Sequence, residues 1–284
     1  MRRFIANEIE FKLTPLATSE TYIQKIRSEV FFKGKTSVSQ SQKTLNIDII
    51  LNDYQSPQVK IKTIDHKVTL DNLLRTQEEI TLKMASLTNI VLLGLNNKGH
   101  INTINNHTII QQKWTILKQE LEQLYKGNTA EIYFYGIDKK IKDAEKLLVD
   151  FQQNRLFGLL WNGLHGFYSD DDSKSKKRIK IISNAVEHIP ISVEETITCK
   201  QIDRNEITLQ VTGQLNGNET FIKKIESYFI RNGGNKKFKF ELTVYNGVFK
   251  FNLESGLLKE VTLVIETKFG DSYTRKDQFN IHNI

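Results

Sequence analysis

Residues that commonly bind metals or catalyse reactions are few in this sequence and lie far apart. His100 and His107 flank the segment INTINN, and two imidazoles can contribute to a metal site, but no third ligand lies nearby. The run Asp170-Asp171-Asp172 offers oxygen ligands for Ca²⁺, yet it lacks the alternate spacing that directs carboxylates inward, and basic residues follow it directly. We therefore predict loop and cap positions for the histidines, a solvated linker for the aspartates, and neither a metal site nor a cofactor.

Common catalytic signatures are absent from the sequence. There is no GxGxxG, GxxxxGK[ST], GxSxG, HExxH or EF-hand motif. The single cysteine, Cys199, is in phase with Ile191, Val193 and Ile197 in a strand-like segment, which predicts a buried thiol and excludes an intrachain disulfide framework. Carboxylates on separate strands would escape such a search, so an enzyme is the third and least favoured functional class, and we predict no catalytic residue.

The segment LFGLLWNGLHGFY, residues 156–168, has the most unusual composition in the chain. It is shorter than the roughly 18–20 apolar residues of a membrane span. In one interpretation its leucines continue the stripe of the preceding helix and dock into the core. In the second it forms the wall of a hydrophobic pocket or partner surface, and the candidate ligand- or partner-binding residues are then Trp161, Leu164 and Phe167. A third, peripheral membrane contact, is disfavoured because Lys and Arg do not lie along one face of the segment.

Composition is typical of a globular protein and disfavours several classes of partner. The 284 residues are 39% hydrophobic and 26% charged, with a net charge of +7. Lysines alternate with carboxylates in both halves, so we predict diffuse solvated charge and no specific nucleic-acid site. The sequence contains neither a transmembrane segment nor the apolar stretch of a secretory signal, which predicts a cytoplasmic protein or the mature form of an exported one.

Hydrophobic periodicity predicts a mixed first half. Residues 43–51 and 57–64 alternate like antiparallel strands, and residues 91–104 form two strands around the turn Asn96–Gly99. Helical spacing predicts helices over 69–87, with Thr69 as N-cap, over 108–125 around a buried Trp114, and from Asp138 into the segment 156–168. Residues 130–137, AEIYFYGI, favour a strand.

The second half is predicted to be mostly strands with one helix over residues 218–234. We therefore predict an α+β fold: antiparallel curved sheets with amphipathic helices packed on one face. The division is an α+β half over 1–168, a connection over 169–177, and a β-rich half over 178–284. The hairpins at 91–104 and 249–263 are similar, so the halves are either related by duplication or share a common turn. Long strands joined by the turn LESGLL resemble, in architecture only, the open β-barrel of bacterial lipoprotein carriers.

Two functional classes follow from this organisation. In the first, the protein is a non-enzymatic binding module that holds a hydrophobic small molecule or a partner segment between sheet and helices. In the second, it is a structural or interaction component of a larger protein assembly, which docks through sheet edges and the apolar segment 156–168. A monomer with a co-purified small molecule would favour the first class, and a defined oligomer or a protein partner would favour the second. The oligomeric state does not follow from the sequence.

Overall fold

The computed structural model of the chain describes residues 8–14, 18–50, 57–71, 75–169, 174–187, 189–217 and 219–284. In the first half the strands are β1 (Glu8–Phe11), β2 (Ser19–Phe32), β3 (Lys35–Ile50), β4 (Gln58–Thr69), β5 (Ile90–Leu95), β6 (Ile101–Ile104) and β7 (Gly166–Ser169). In the second half they are β8 (Lys176–Val186), β9 (Ile189–Ile202), β10 (Glu206–Leu215), β11 (Phe240–Asn252), β12 (Leu258–Phe269) and β13 (Tyr273–Asn283). The helices are α1 (Arg75–Ser86), α2 (His107–Leu124), α3 (Asn128–Lys142), α4 (Ala144–Gln153), α5 (Phe157–Leu160) and α6 (Glu219–Arg231).

One large antiparallel sheet organises the molecule. Among the described residues it has 11 strands in the order β6-β5-β4-β3-β2-β13-β12-β11-β10-β9-β8. Each half of the chain contributes a meander of strands that are neighbours in sequence, and the two meanders join where β2 pairs with β13. The short strands β1 and β7 pair separately. The predicted antiparallel α+β fold is confirmed.

Alternation of apolar residues explains why these segments are strands. In β9 the side chains of Ile191, Val193, Ile197 and Cys199 are buried, as a period of two residues requires when one face of a sheet is covered. The predicted burial of Cys199 is confirmed. At the β2–β3 hairpin, Lys33 and Gly34 have φ angles of 51° and 77°, the pair of positive values that a tight two-residue turn needs.

The helices of the first half form a layer on one face of the sheet. Helix α2 buries Ile110, Trp114, Leu117 and Leu121, so the predicted stripe and the predicted burial of Trp114 are confirmed. Leu124, at the end of the same stripe, is exposed. In the second half, α6 buries Ile225 and Phe229 and contacts β9 and β11.

Three predicted details of this layer are wrong. Residues 130–137 are helical in α3 and not a strand, because Phe134 packs against Trp114 of the neighbouring helix. Asp138 lies inside α3, and Asp143 is the N-cap of α4, where its side chain accepts a hydrogen bond from the Lys146 amide. Thr69 is the last residue of β4, opposite Gln40, and not a helix cap.

The end of α4 contacts both edges of the large sheet. Gln152 Nε2 donates to the carbonyl oxygen of Ile101 in β6 at 2.9 Å, and Ser183 Oγ of β8 donates to the carbonyl oxygen of Gln153 at 3.2 Å. Because β6 and β8 are the two outermost strands of the sheet, contact of both with one helix end requires the sheet to curve around the helical layer.

The proposed division at 169–177 stays a prediction. Ser169 ends β7 and Lys176 begins β8, while the aspartates at 170–172 lie outside the described residues. Both halves contribute to the same sheet through β2 and β13. Within the described part of the chain, no helix has the length and apolar character needed to cross a membrane.

Candidate functional site

A cleft of about 730 Å³ lies between the sheet and the helical layer. Its volume falls within the roughly 300–1,000 Å³ typical of small-molecule sites. Strands β2, β3 and β4 form one wall, and helices α1, α3 and α4 form the other. The segment that follows α4 closes one end beside β8 and β13, through Asn154, Arg155, Asn184 and Arg275.

The sheet wall of the cleft is mostly polar and is ordered by strand register. Gln24, Lys43 and His66 form one row across β2, β3 and β4. The next rows are Ile26, Ser41 and Val68, and then Ser28 and Ser39. These residues share the face of β3 that buries Leu45, Ile47 and Ile49 farther along. The inward face of β3 thus changes from apolar to polar where the core ends and the cleft begins.

The helix wall of the cleft is mainly apolar. Side chains from α1, α3 and α4 line it, together with Leu87 after the end of α1 and Ile110 of α2, and most of them are buried or half-buried. Lys140 and Asp150 also lie here and form an ion pair of 2.6 Å. The apolar lining of this wall consists of Met84, Leu87, Ile110, Ile137, Ile141, Leu147 and Phe151.

Lys43 is the unusual charge of the sheet wall. It is half-buried, and burial lowers the pKa of its ammonium group. None of the described residues forms an ion pair or hydrogen bond with it. Next to it, burial and then the positive charge of Lys43 lower the pKa of His66 to about 4, so His66 is neutral near pH 7. A hydrogen bond of 3.1 Å joins His66 Nε2 and Ser41 Oγ.

A buried ion cluster closes the end of the cleft. Asp277 pairs with Arg275 at 3.0 Å and with Arg155 at 3.3 Å, and it also accepts a hydrogen bond from Ser28. Both arginines donate to the carbonyl oxygen of Asn184, at 3.0 and 3.3 Å. Asn184 has a φ of 52°, an uncommon value for a residue other than glycine, at an irregularity in β8. One carboxylate thus faces two guanidinium groups here.

A second ion cluster lies beside α5 and belongs to the interior. Glu195 is 1% exposed, pairs with Arg178 at 2.5 Å and accepts a hydrogen bond from Tyr245. Lys180 donates to the carbonyl oxygen of Gly158 at 3.3 Å, and burial lowers the pKa of Lys180 to about 8. The cavity next to Lys180 has a volume of only about 30 Å³, room for about one water molecule.

The three residues named from the sequence lie outside the cleft. Trp161 is 4% exposed and Leu164 is fully buried, so both belong to the core. Phe167 is 68% exposed on β7, opposite Glu10 of β1. The structure therefore does not bring them together as one surface, and a ligand or partner role for them stays a prediction. The beginning of the same segment does reach the cleft, through Leu156 and Phe157.

Histidines and carboxylates do not gather elsewhere in the described residues: no group of three or more His, Cys, Asp or Glu is placed to hold a metal ion. His100 bridges to Asn162 through its backbone, and the His107 ring contacts the carbonyl oxygen of Ile141 at 2.7 Å. His165 lies between the carbonyl oxygens of Lys98 and Gly256, at 3.0 and 2.9 Å.

Sequence reasoning missed the residues that line the cleft. The one available signal was in β3, KTSVSQSQKTLNIDII, where every second residue faces inward and Ser39, Ser41 and Lys43 precede the apolar Leu45. A polar stretch on the inward face of a long strand indicates that something other than a hydrophobic core lies opposite it.

Comparisons with known proteins give similarity to solved structures and not to known sequences. The chain matches no family model and no curated protein. Among solved structures it is similar to one described as "Lipid-protein interactions in lipovitellin", with 9% sequence identity and a TM-score of 0.45. The match covers 94% of this chain and 25% of the other, so this chain spans about a quarter of the length of that protein. A similarity at this level assigns the chain to no family.

Proposed function

We propose that this protein is a non-enzymatic binding module that holds an apolar small molecule in the cleft between β2–β4 and the helices. The observation that supports this function is the cleft itself, whose volume of about 730 Å³ lies between two different walls. Binding sites of this kind combine a mainly apolar lining with a few polar groups that orient the ligand. The helix wall supplies the apolar lining, and the sheet wall supplies the polar groups.

Filling the cleft tests this function. Ala85 of α1 lines the cleft and is half-buried, so Ala85→Trp places an indole in the space a ligand would occupy. We expect this variant to bind an uncharged aminonaphthyl ketone dye at least tenfold more weakly than the wild type, a loss of about 1.4 kcal/mol. The measurement is a fluorescence titration, with thermal melting to confirm that the variant is folded.

The matched control is Leu82→Trp, on the same helix. Leu82 is 36% exposed and does not line the cleft, so its replacement by tryptophan should leave dye binding unchanged. Native mass spectrometry of the purified wild type adds an independent observation, because a bound molecule would appear as extra mass. Equal dye affinity in Ala85→Trp and the wild type would contradict the function proposed for the cleft.

A role in a protein assembly is the second candidate function. Helices α2 and α3 contact each other and expose large apolar side chains: Ile116 is 71% exposed, Ile132 63% and Tyr135 68%. Exposed apolar surface of this kind is typical of protein–protein contacts. Sedimentation analysis tests this role, because Ile116→Lys combined with Ile132→Lys should shift a defined oligomer to a smaller species. A wild type that sediments as a monomer at all concentrations would count against self-association through these helices.

A further inference from the structure

We infer that the ligand of the cleft is an anionic amphiphile: a molecule with one negatively charged head group that contacts Lys43 and an apolar tail that lies along α1, α3 and α4. This inference rests on the function proposed above and names the chemical class of the molecule bound. Its starting point is the geometry of the sheet wall, where Lys43 faces the cleft between Gln24 and His66.

Among the described residues, Lys43 has no partner of the kind that a half-buried ammonium group normally has. Removing a charged group from water is unfavourable unless another group compensates it, and charges away from bulk solvent are therefore usually paired. Within the described parts of the chain, no carboxylate and no hydrogen-bond acceptor contacts Lys43. On the helix wall of the cleft, in contrast, Lys140 pairs with Asp150. The missing partner of Lys43 is consistent with an anion supplied by a ligand.

The net charge around the cleft also favours a negatively charged ligand. Four basic side chains line the cleft, namely Lys43, Lys140, Arg155 and Arg275. Of the described carboxylates, Asp150 and Asp277 pair with members of this set. His66 is neutral near pH 7 because burial lowers its pKa to about 4. The cleft therefore keeps an excess of two positive charges, which raises the local concentration of anions.

Neighbouring polar groups can complete the contact with a head group. Ser41 lies one row from Lys43 on the same strand face, and its hydroxyl is joined to His66 Nε2 at 3.1 Å. Gln24 flanks Lys43 on the other side and donates one hydrogen bond, to the carbonyl oxygen of Arg155 at 3.3 Å. Its second amide hydrogen and the Ser41 hydroxyl are donors of the kind that bind carboxylate or phosphate oxygens.

The opposite wall determines where the tail lies. Met84, Ile137 and Ile141 line the helix side of the cleft, and none of the lining residues of α1 carries a charge. A small hydrophilic anion would leave this apolar wall in contact with water, whereas an amphiphile covers it. The two walls together therefore favour a head group on the sheet and a tail on the helices.

Two ligands of the same chain length, one with an anionic head group and one with a neutral head group, test the inference. Dodecanoate and dodecanol compete with the uncharged dye in fluorescence titrations at pH 7, where the carboxylate is ionised. We expect dodecanoate to displace the dye from the wild type about tenfold to a hundredfold more effectively, the usual contribution of a hydrogen-bonded charge. Acetate, which has the head group without the tail, should not displace the dye.

Substitution of Lys43 tests whether this lysine causes the preference for dodecanoate over dodecanol. Lys43→Met should bind dodecanoate and dodecanol equally well, while Lys43→Arg should retain the preference for dodecanoate. The matched control is Lys25→Met, because Lys25 is exposed on the opposite face of the neighbouring strand, and this variant should behave as the wild type. Because Lys43 forms no ion pair or hydrogen bond with the described residues and methionine keeps most of its side-chain volume, Lys43→Met should melt within a few degrees of the wild type.

Each result separates the inference from the function on which it rests. Dye binding with no preference between dodecanoate and dodecanol would leave the binding module standing and overturn the anionic ligand. A preference that survives in Lys43→Met would overturn the assignment of the head group to Lys43. Failure of the wild type to bind the uncharged dye would overturn the proposed function and this inference together.

Discussion

The Trp114 side chain packs in the core and also forms a hydrogen bond. It is 1% exposed in α2, packs against Phe134 of α3 and donates from Nε1 to the Asp138 carboxylate at 3.1 Å. We expect Trp114→Ala to lower the free energy of unfolding by roughly 3–5 kcal/mol, because a large cavity forms between the two helices. Urea denaturation measures this loss. Trp114→Phe, which keeps most of the packing, should cost less, and equal effects of the two variants would contradict a packing role.

Lys180 should give the protein a pH-dependent stability in the alkaline range. Burial lowers its pKa from the ordinary 10.5 to about 8, so between pH 8 and 10.5 the unfolded chain binds a proton that the folded chain has released. Its contribution to stability therefore rises as pH increases through this window and is least favourable below pH 8. The stability of wild type minus that of Lys180→Met, measured in urea at pH 7, 8.5 and 10, should become more positive with pH. Tyrosines titrate in both proteins and cancel in this difference, so a flat difference would contradict the lowered pKa.

At the scale of elements, the packing of α5 against the end of α4 depends on a close approach of their backbones. A Cβ atom on Gly158 would lie 2.3 Å from the carbonyl oxygen of Gln152, so Gly158→Ala forces the backbone to move. We expect a loss of about 1–3 kcal/mol in unfolding free energy, measured by urea denaturation.

The matched control for this element is Gly136→Ala in α3. Gly136 is exposed, and an added Cβ would meet no atom within 4 Å. Alanine in the interior of a helix is favoured over glycine by roughly 0.5–1 kcal/mol, so this variant should be more stable than the wild type. Effects of the same sign in both variants would show that the close approach at Gly158 has no role.

Helices and strands were predictable where the spacing of their apolar residues matched only one type of secondary structure. Helix α2 has five apolar residues at helical spacing, and β9 alternates over most of its length, so both follow from sequence. Helix α3 does not, because IYFY has strong strand propensity and becomes helical through its contact with Trp114. The cleft was beyond sequence reasoning because Lys43 lies in β3, His66 in β4 and Arg155 in the segment between α4 and α5. Their proximity depends on strand register and on where α4 ends.

At the scale of the whole molecule, the two halves should stay together even when the chain between them is cut. The connection over 169–177 is rich in lysine, and we expect trypsin to cleave it first in limited proteolysis. Pairing of β2 with β13, from Tyr22–Asn283 to Phe32–Tyr273, should then hold both fragments in one particle. Size-exclusion chromatography of the nicked protein should give a single peak in native buffer and two fragments in denaturant. Two separate peaks in native buffer would contradict the structural importance of this pairing, and early cleavage elsewhere would contradict the boundary.

The same pairing of β2 with β13 has a consequence for how fast the protein folds. Every other ladder of the large sheet in the described residues joins strands that are consecutive along the chain, whereas in the β2–β13 ladder Ser28 and Asp277 are 249 residues apart. Closing a loop of that length has a high entropic cost, and long-range contacts slow folding. Each meander should therefore form before β2 pairs with β13. Ser28→Ala, which removes the hydrogen bond to Asp277, should therefore accelerate unfolding in stopped-flow experiments and leave the refolding rate nearly unchanged. The β2–β13 ladder is then the last part of the sheet to form and the first to open.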